Sequence, residues 1–140
     1  VRNIRGRGLL IQTRNVTIKN CLFDGCTGQA LHIDTAYDWG ESIGVRNVTV
    51  TDNKFIDCGF GSTKYCDAVA VVVETEADEE AIGVHRDIFI KDNIIIGNKN
   101  AFKLSCCRDV LIEDNVSVKC EEKILQSSTE NIILKGNTYF

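Results

Sequence analysis

The chain contains no proline and no methionine, and only one tryptophan, among its 140 residues. The missing proline suits a body of stacked strands, where each interior residue must donate a ladder hydrogen bond. The missing methionine implies a segment that opens after the natural start. No apolar run approaches the ~20 residues needed to cross a bilayer, and no signal peptide opens the chain. Cation clustering is absent too: sixteen Lys and Arg are scattered along the sequence, giving no phosphate-tracking stripe, and the net charge is -4. That balance argues against nucleic acid as a partner. Seven cysteines are an odd number, which speaks against a disulfide framework.

A repeat is what the sequence does contain. Asn15-Val16-Thr17-Ile18, Asn47-Val48-Thr49-Val50, Asp87-Ile88-Phe89-Ile90, Asp109-Val110-Leu111-Ile112 and Asn131-Ile132-Ile133-Leu134 share one pattern. Each is Asn or Asp followed by apolar-x-apolar, the alternation of a strand. Six residues on stands Asn53, Asn93, Asn115 or Asn137, with Cys21 in the first copy; eight on stands Phe23, Phe55, Ile95, Ser117 or Tyr139. The last two intervals are 22 residues, while 32 and 40 separate the earlier copies. A period near 22 without helical segments or leucine-rich spacing predicts an all-β fold, a right-handed parallel β-helix of about five coils. Residues 1–140 are read as one such segment, truncated at both ends, whose uncapped coils invite end-to-end self-association.

Equivalent positions then become vertical columns. Val16, Val48, Ile88, Val110 and Ile132 form one inward column, and Ile18, Val50, Ile90, Ile112 and Leu134 a second. Leu31, Val69, Phe102 and Ile124 are expected to line another wall. Asn53, Asn93, Asn115 and Asn137 should form an amide ladder at a turn that uses the left-handed backbone asparagine tolerates. Cys26, Cys58 and Cys120, with Asn98 in the remaining coil, are read as a buried stack rather than metal ligands.

Regular coils leave no backbone for a cleft, so function is expected on the insertions. These fall between Asp34 and Arg46, between Glu74 and Arg86, and between Cys58 and Asp67. The first two leave one coil position in consecutive coils and should stand side by side. The first, Asp34 to Ser42, carries Tyr37, Asp38, the single Trp39 and Glu41; the second opens with the acidic run Glu74 to Glu80. His32 and Asp34 should point outward at the foot of the first loop. Glycoside hydrolysis needs two carboxyl groups flanking the scissile bond, and a sugar face stacks on an exposed aromatic ring. Asp34, Asp38 and Glu41 are the candidate catalytic carboxylates; Trp39, Tyr37, His32 and Glu74 are candidate substrate-binding residues. The bland alternative has Trp39 covering Leu9, Ile11, Ala70 and Val72, and the acidic run as a solvated loop.

Gly6-Arg7-Gly8-Leu9-Leu10, Thr13, Asn15 to Asn20 and Phe23 resemble a stretch of the bacterial α-1,3-galactosidases built on a parallel β-helix. The likeness continues through Ala30 to Asp34, Trp39-Gly40-Glu41-Ser42, Val45 to Val50, Asn53 to Gly59 and Val84-His85-Arg86-Asp87-Ile88, roughly the first 115 residues. It implies an exo-acting glycoside hydrolase that releases terminal α-linked galactose with inversion. No metal or cofactor is implied, the partner is a carbohydrate, and the compartment is secreted or periplasmic. It also implies an Asp-Asp element on preceding coils; no such pair occurs here, so this chain holds part of an active site. A non-catalytic polysaccharide-binding or structural β-helix remains the alternative. A polysaccharide lyase or epimerase is a third, disfavoured by the acidity of the wall.

Overall fold

The computed structural model describes residues 1–61, 69–75, 81–120 and 122–140; the side chains of Asp38, Glu122 and Lys123 lie outside that description. Thirteen strands occur among the described residues, with no α-helix and one 3-10 turn, Tyr37–Trp39. The strands are β1 (Leu9–Ile11), β2 (Arg14–Lys19), β3 (Leu22–Asp24), β4 (Leu31–Ile33), β5 (Arg46–Thr51), β6 (Lys54–Ile56) and β7 (Val69–Val73). They continue as β8 (His85–Lys91), β9 (Ile94–Ile96), β10 (Asn100–Glu113), β11 (Val116–Val118), β12 (Glu122–Lys135) and β13 (Thr138–Tyr139). No helix is long and apolar enough to cross a membrane among the described residues.

Among the described residues the named strands all pair in parallel, linking residues one repeat apart. Val16 pairs with Val48, Val48 with Ile88, Ile88 with Val110 and Val110 with Ile132. Leu9 pairs with Leu31, Leu31 with Val71, Val71 with Phe102 and Phe102 with Ile124. A third set stacks β3, β6, β9, β11 and β13 into a separate sheet. The first two sets are joined where β10 and β12 bend, with Cys106 and Ser128 at positive φ. The chain is therefore all-β with parallel sheets, as the alternation predicts.

One column needs correction. Val69 aligns with Asn100, and Val71 takes the place expected for Val69 beside Leu31 and Phe102. The insertion after Cys58 obscured the register. A slip of two keeps every side chain on its face, so the core pattern survived. Ile11 and Ala70, expected on the outer surface, also belong to the core.

The core is apolar and buried. Val48, Val50, Phe55, Val71, Val73, Ile88, Ile90, Ile95, Phe102 and Leu104 are fully buried. Each such side chain contributes on the order of 1.5–3 kcal/mol by leaving water. Phe23 stacks on Phe55 with ring centroids 5.4 Å apart. Cys26, Cys58 and Asn98 are buried in their column, and Asn98 Nδ2 donates to the Cys58 carbonyl. Burial pushes the Cys58 thiol up to about 12, so it packs as an uncharged group.

The turns explain the recurrent Asn and Asp. Asn15, Asn47, Asp87, Asp109 and Asn131 all have positive φ, as do Asn20, Asp52, Asp92 and Asp114. Short polar side chains occupy that region at least cost. The ladder asparagines are absent from this set; the left-handed residue is the one before each of them. Their amides do different work. Asn93 Nδ2 donates to Asn115 Oδ1 at 2.9 Å and to the Val50 carbonyl at 2.9 Å, while its Oδ1 accepts the Asn53 N–H at 3.0 Å. Asn53, Asn115 and Asn137 repeat the scheme.

Candidate functional site

The first insertion is held by its own hydrogen bonds. The N–H groups of Trp39 and Glu41 both donate to the Ala36 carbonyl, at 3.2 and 3.1 Å, and Gly40 donates to Tyr37 at 3.0 Å. Gly40 has φ 65°, which closes the 3-10 turn in a left-handed conformation. Ser42 Oγ then donates to the Gln12 carbonyl at 2.7 Å, tying the loop exit to the β1–β2 connection. This small frame presents Trp39 with 78% of its surface exposed and Tyr37 with 70%. Trp39 is thus no cover for the apolar sheet.

Trp39, Glu41, Asp34, Ala36, Gln12, Leu10 and Arg7 line an open cleft of about 180 Å³. Three of the candidates, Asp34, Trp39 and Glu41, are therefore brought to one place. Ligand sites commonly enclose ~300–1,000 Å³, so this cleft has the size of one portion of such a site. Glu41 is an exposed carboxylate, whereas Asp34 is 1% exposed at the loop foot. His32 is likewise 5% exposed rather than open to water. The two neighbouring chain segments cover both residues, which single-strand alternation could not reveal. Tyr37 stands on the same turn but outside the lining of the cleft.

His32 and Glu74 belong to a polar chain behind the cleft. Arg7 Nη1 lies 3.1 Å from His32 Nδ1, and His32 Nε2 lies 2.8 Å from Glu74 Oε1. A guanidinium can only donate, so Nδ1 accepts and Nε2 carries the ring hydrogen close to the carboxylate. Glu74 Oε2 accepts from Lys103 Nζ at 3.0 Å. Burial opposes ionisation of Glu74, but hydrogen bonds from His32 and Lys103 outweigh it and hold the carboxyl at about 2. Glu74 is thereby a fixed anion that orients His32, and through it Arg7. Sequence reasoning missed Arg7, although it stands in the Gly6-Arg7-Gly8 motif.

The two insertions are adjacent at both feet. Thr35 Oγ1 and Thr75 Oγ1 are 2.6 Å apart, and Arg86 N donates to the Val45 carbonyl at 3.1 Å. A Cβ on Gly44 would meet the Val84 carbonyl oxygen at 1.9 Å, so only glycine permits this approach. His85 is fully buried here, with Nε2 2.6 Å from the Glu74 carbonyl and Nδ1 3.3 Å from Val45 N. Burial lowers its pKa to about 4. The Asp38 side chain, residues 76–80 of the acidic run, and Ser62 to Cys66 of the third insertion lie outside the described residues.

A second feature overturns the expectation that cations are scattered. Arg14 pairs with Arg46, Arg46 with Arg86 and Arg86 with Arg108, so four arginines form one column. Their separations in sequence, 32, 40 and 22 residues, are the repeat intervals themselves.

No family model matches the chain. It is 34% identical over 134 residues, 94% of its length, to a protein from Akkermansia muciniphila named α-1,3-galactosidase A. It is also 34% identical over 92 residues, 64% of its length, to α-1,3-galactosidase B of Bacteroides thetaiotaomicron. The chain is related to the α-1,3-galactosidases. The resemblance carried by the Gly6 to Leu10 and Trp39 to Ser42 motifs is borne out, and the first match extends beyond the 115 residues expected. The chain spans 21% and 15% of the lengths of these two α-1,3-galactosidases.

Proposed function

We propose that this chain is a stretch of right-handed parallel β-helix forming one wall of the substrate cleft in an exo-acting, inverting α-galactosidase. The helix reading is supported by parallel pairing at intervals of one repeat and by three stacked sets of strands. The observation that carries the functional reading is the cleft in which exposed Trp39 stands with Glu41, Asp34 and Arg7. Trp39 offers an apolar face to a galactose ring, and Arg7, oriented by His32, donates hydrogen bonds to its hydroxyls. Tyr37 extends the aromatic edge.

Inversion requires a general acid and a general base separated by roughly 6.5–9.5 Å, with water between one carboxylate and the anomeric carbon. Glu41 is the carboxylate of this wall best placed to meet the sugar, since it is exposed and lines the cleft. Asp34, buried at the foot, and Asp38 on the same turn are the further candidates. The opposing carboxylate comes from other parts of the full-length protein. Kinetics on α-1,3-linked galactosyl disaccharide test the platform role: Trp39→Ala should raise KM about tenfold or more, the size of one lost stacking contact of ~1.4 kcal/mol or above. An unchanged KM would remove Trp39 from the substrate and with it the observation on which the reading stands.

A further inference from the structure

The arginine column runs across β2, β5, β8 and β10, where neighbouring residues are about 4.8 Å apart, as in any parallel ladder. Such a row of like charges opposes itself unless anions lie alongside. Asp87 and Asp109 supply carboxylates 3.9 and 3.6 Å from the Nε atoms of Arg86 and Arg108. At Arg14 and Arg46 the corresponding positions are Asn15 and Asn47, which are uncharged and bonded to each other at 2.8 Å. Among the described residues, the Nε atoms of Arg46, Arg86 and Arg108 are buried with no hydrogen-bond acceptor. Burial, then Arg86 and Arg14, lowers the pKa of Arg46, as expected for a cation lacking compensation. The side chains of Arg86 and Arg108 remain 30% and 40% exposed.

The column adjoins the cleft. Arg14 lies two residues after Gln12, a cleft residue whose carbonyl holds Ser42. At the far end, a Cβ on Gly83 would meet Arg108 Cδ at 2.8 Å, so the exit of the second insertion rests on that arginine's stem. A planar guanidinium matches an oxyanion with paired N–H donors, and a repeated row of them matches a polymer bearing oxyanions at intervals.

We propose that Arg14, Arg46, Arg86 and Arg108 form a binding strip for the oxyanions of an acidic glycan, carboxylate or sulfate ester, whose neutral galactosyl end enters the adjoining cleft. The glycan identity rests on the galactosidase reading; the anion strip rests on the column alone. The overall charge of -4 makes this strip a local exception on an acidic chain, suited to one aligned ligand.

Titration calorimetry on the full-length protein tests it, with oligogalacturonate, a sulfated galactan oligomer, a neutral galactan oligomer and oligothymidylate as probes. At least one acidic glycan should bind about tenfold tighter than the neutral one, and salt should erode the advantage. Which of the two binds identifies the anion. The double substitution Arg46→Gln with Arg86→Gln should abolish the advantage and leave hydrolysis of a neutral α-galactosyl disaccharide unchanged. Should the double variant fail to fold, Arg14→Gln at the exposed end serves instead. No preference over the neutral oligomer, a preference retained in the variants, or equal binding of oligothymidylate would overturn the proposal. If no disaccharide is hydrolysed but the arginine-dependent binding persists, the galactosidase reading fails and the strip stands.

Discussion

His85 is buried completely, and both of its ring nitrogens are spent on neighbouring backbone, the Glu74 carbonyl and the Val45 N–H. Its pKa is about 4 in the fold, against an ordinary 6.5. Below pH 6.5 the unfolded chain takes up a proton that the folded chain refuses. Stability is therefore lost as pH falls from 6.5 towards 4, and this contribution then levels off. The loss amounts to about 3 kcal/mol, from ~1.4 kcal/mol for each pKa unit. Glu74 acts in a lower window: with its pKa held at about 2, its stabilisation is complete above the ordinary 4.5 and disappears between 4.5 and 2. Urea unfolding at pH 7.5, 5.5 and 4 should show the first decline, and His85→Gln should remove it. A His85→Gln chain with an unaltered pH slope would show that another group governs this range. None of this was legible in sequence, because His85 reads only as the residue before a core strand, and its partners lie 11 and 40 residues away.

Among elements, the asparagine ladder ties each turn to the next through side-chain amides rather than backbone alone. Removing one rung leaves several buried groups without partners: the Asn53 backbone N–H, one Asn53 side-chain N–H and the Val50 carbonyl all face Asn93. Each orphaned group costs about 1–3 kcal/mol. Asn93→Ala should therefore destabilise by about 3–5 kcal/mol in denaturant titration, while Asn137→Ala, at a less buried rung, should cost less. Equal, small effects at both sites would mean that water replaces the amides and that the ladder is not structural. The ladder positions were readable because the repeat brings asparagine back six residues after each opening Asn or Asp. The backbone conformation was not: sequence assigns the left-handed turn to the ladder residue, whereas it belongs to its predecessor. Both are Asn or Asp in most copies, and composition cannot separate neighbours that share a preference. Val69 was misplaced against Val71 for a related reason, since five apolar residues in a row carry no alternation to fix the register.

Across the whole molecule, alternation and period revealed the parallel stacking, and the insertions pointed to the loop that carries Trp39 and Glu41. The cleft itself needed coordinates. Arg7 enters it from the segment before β1, 25 residues before its partner His32, and the arginine column appears only when intervals of 32, 40 and 22 residues are aligned. Unequal insertions hide from a one-dimensional reading any column of residues that the strand register brings together. The α-1,3-galactosidases to which the chain is related are four or more times its length. The central claim is that Glu41 meets the sugar during hydrolysis. It is tested most directly by kcat for an α-1,3-galactosyl disaccharide with the full-length protein and its Glu41→Gln variant, which keeps shape and removes the charge. A fall in kcat of about a hundredfold or more, with folding and melting temperature unchanged, is the predicted result. Turnover within about twofold of the unsubstituted protein would contradict the account and leave Glu41 as a solvated side chain on a binding wall.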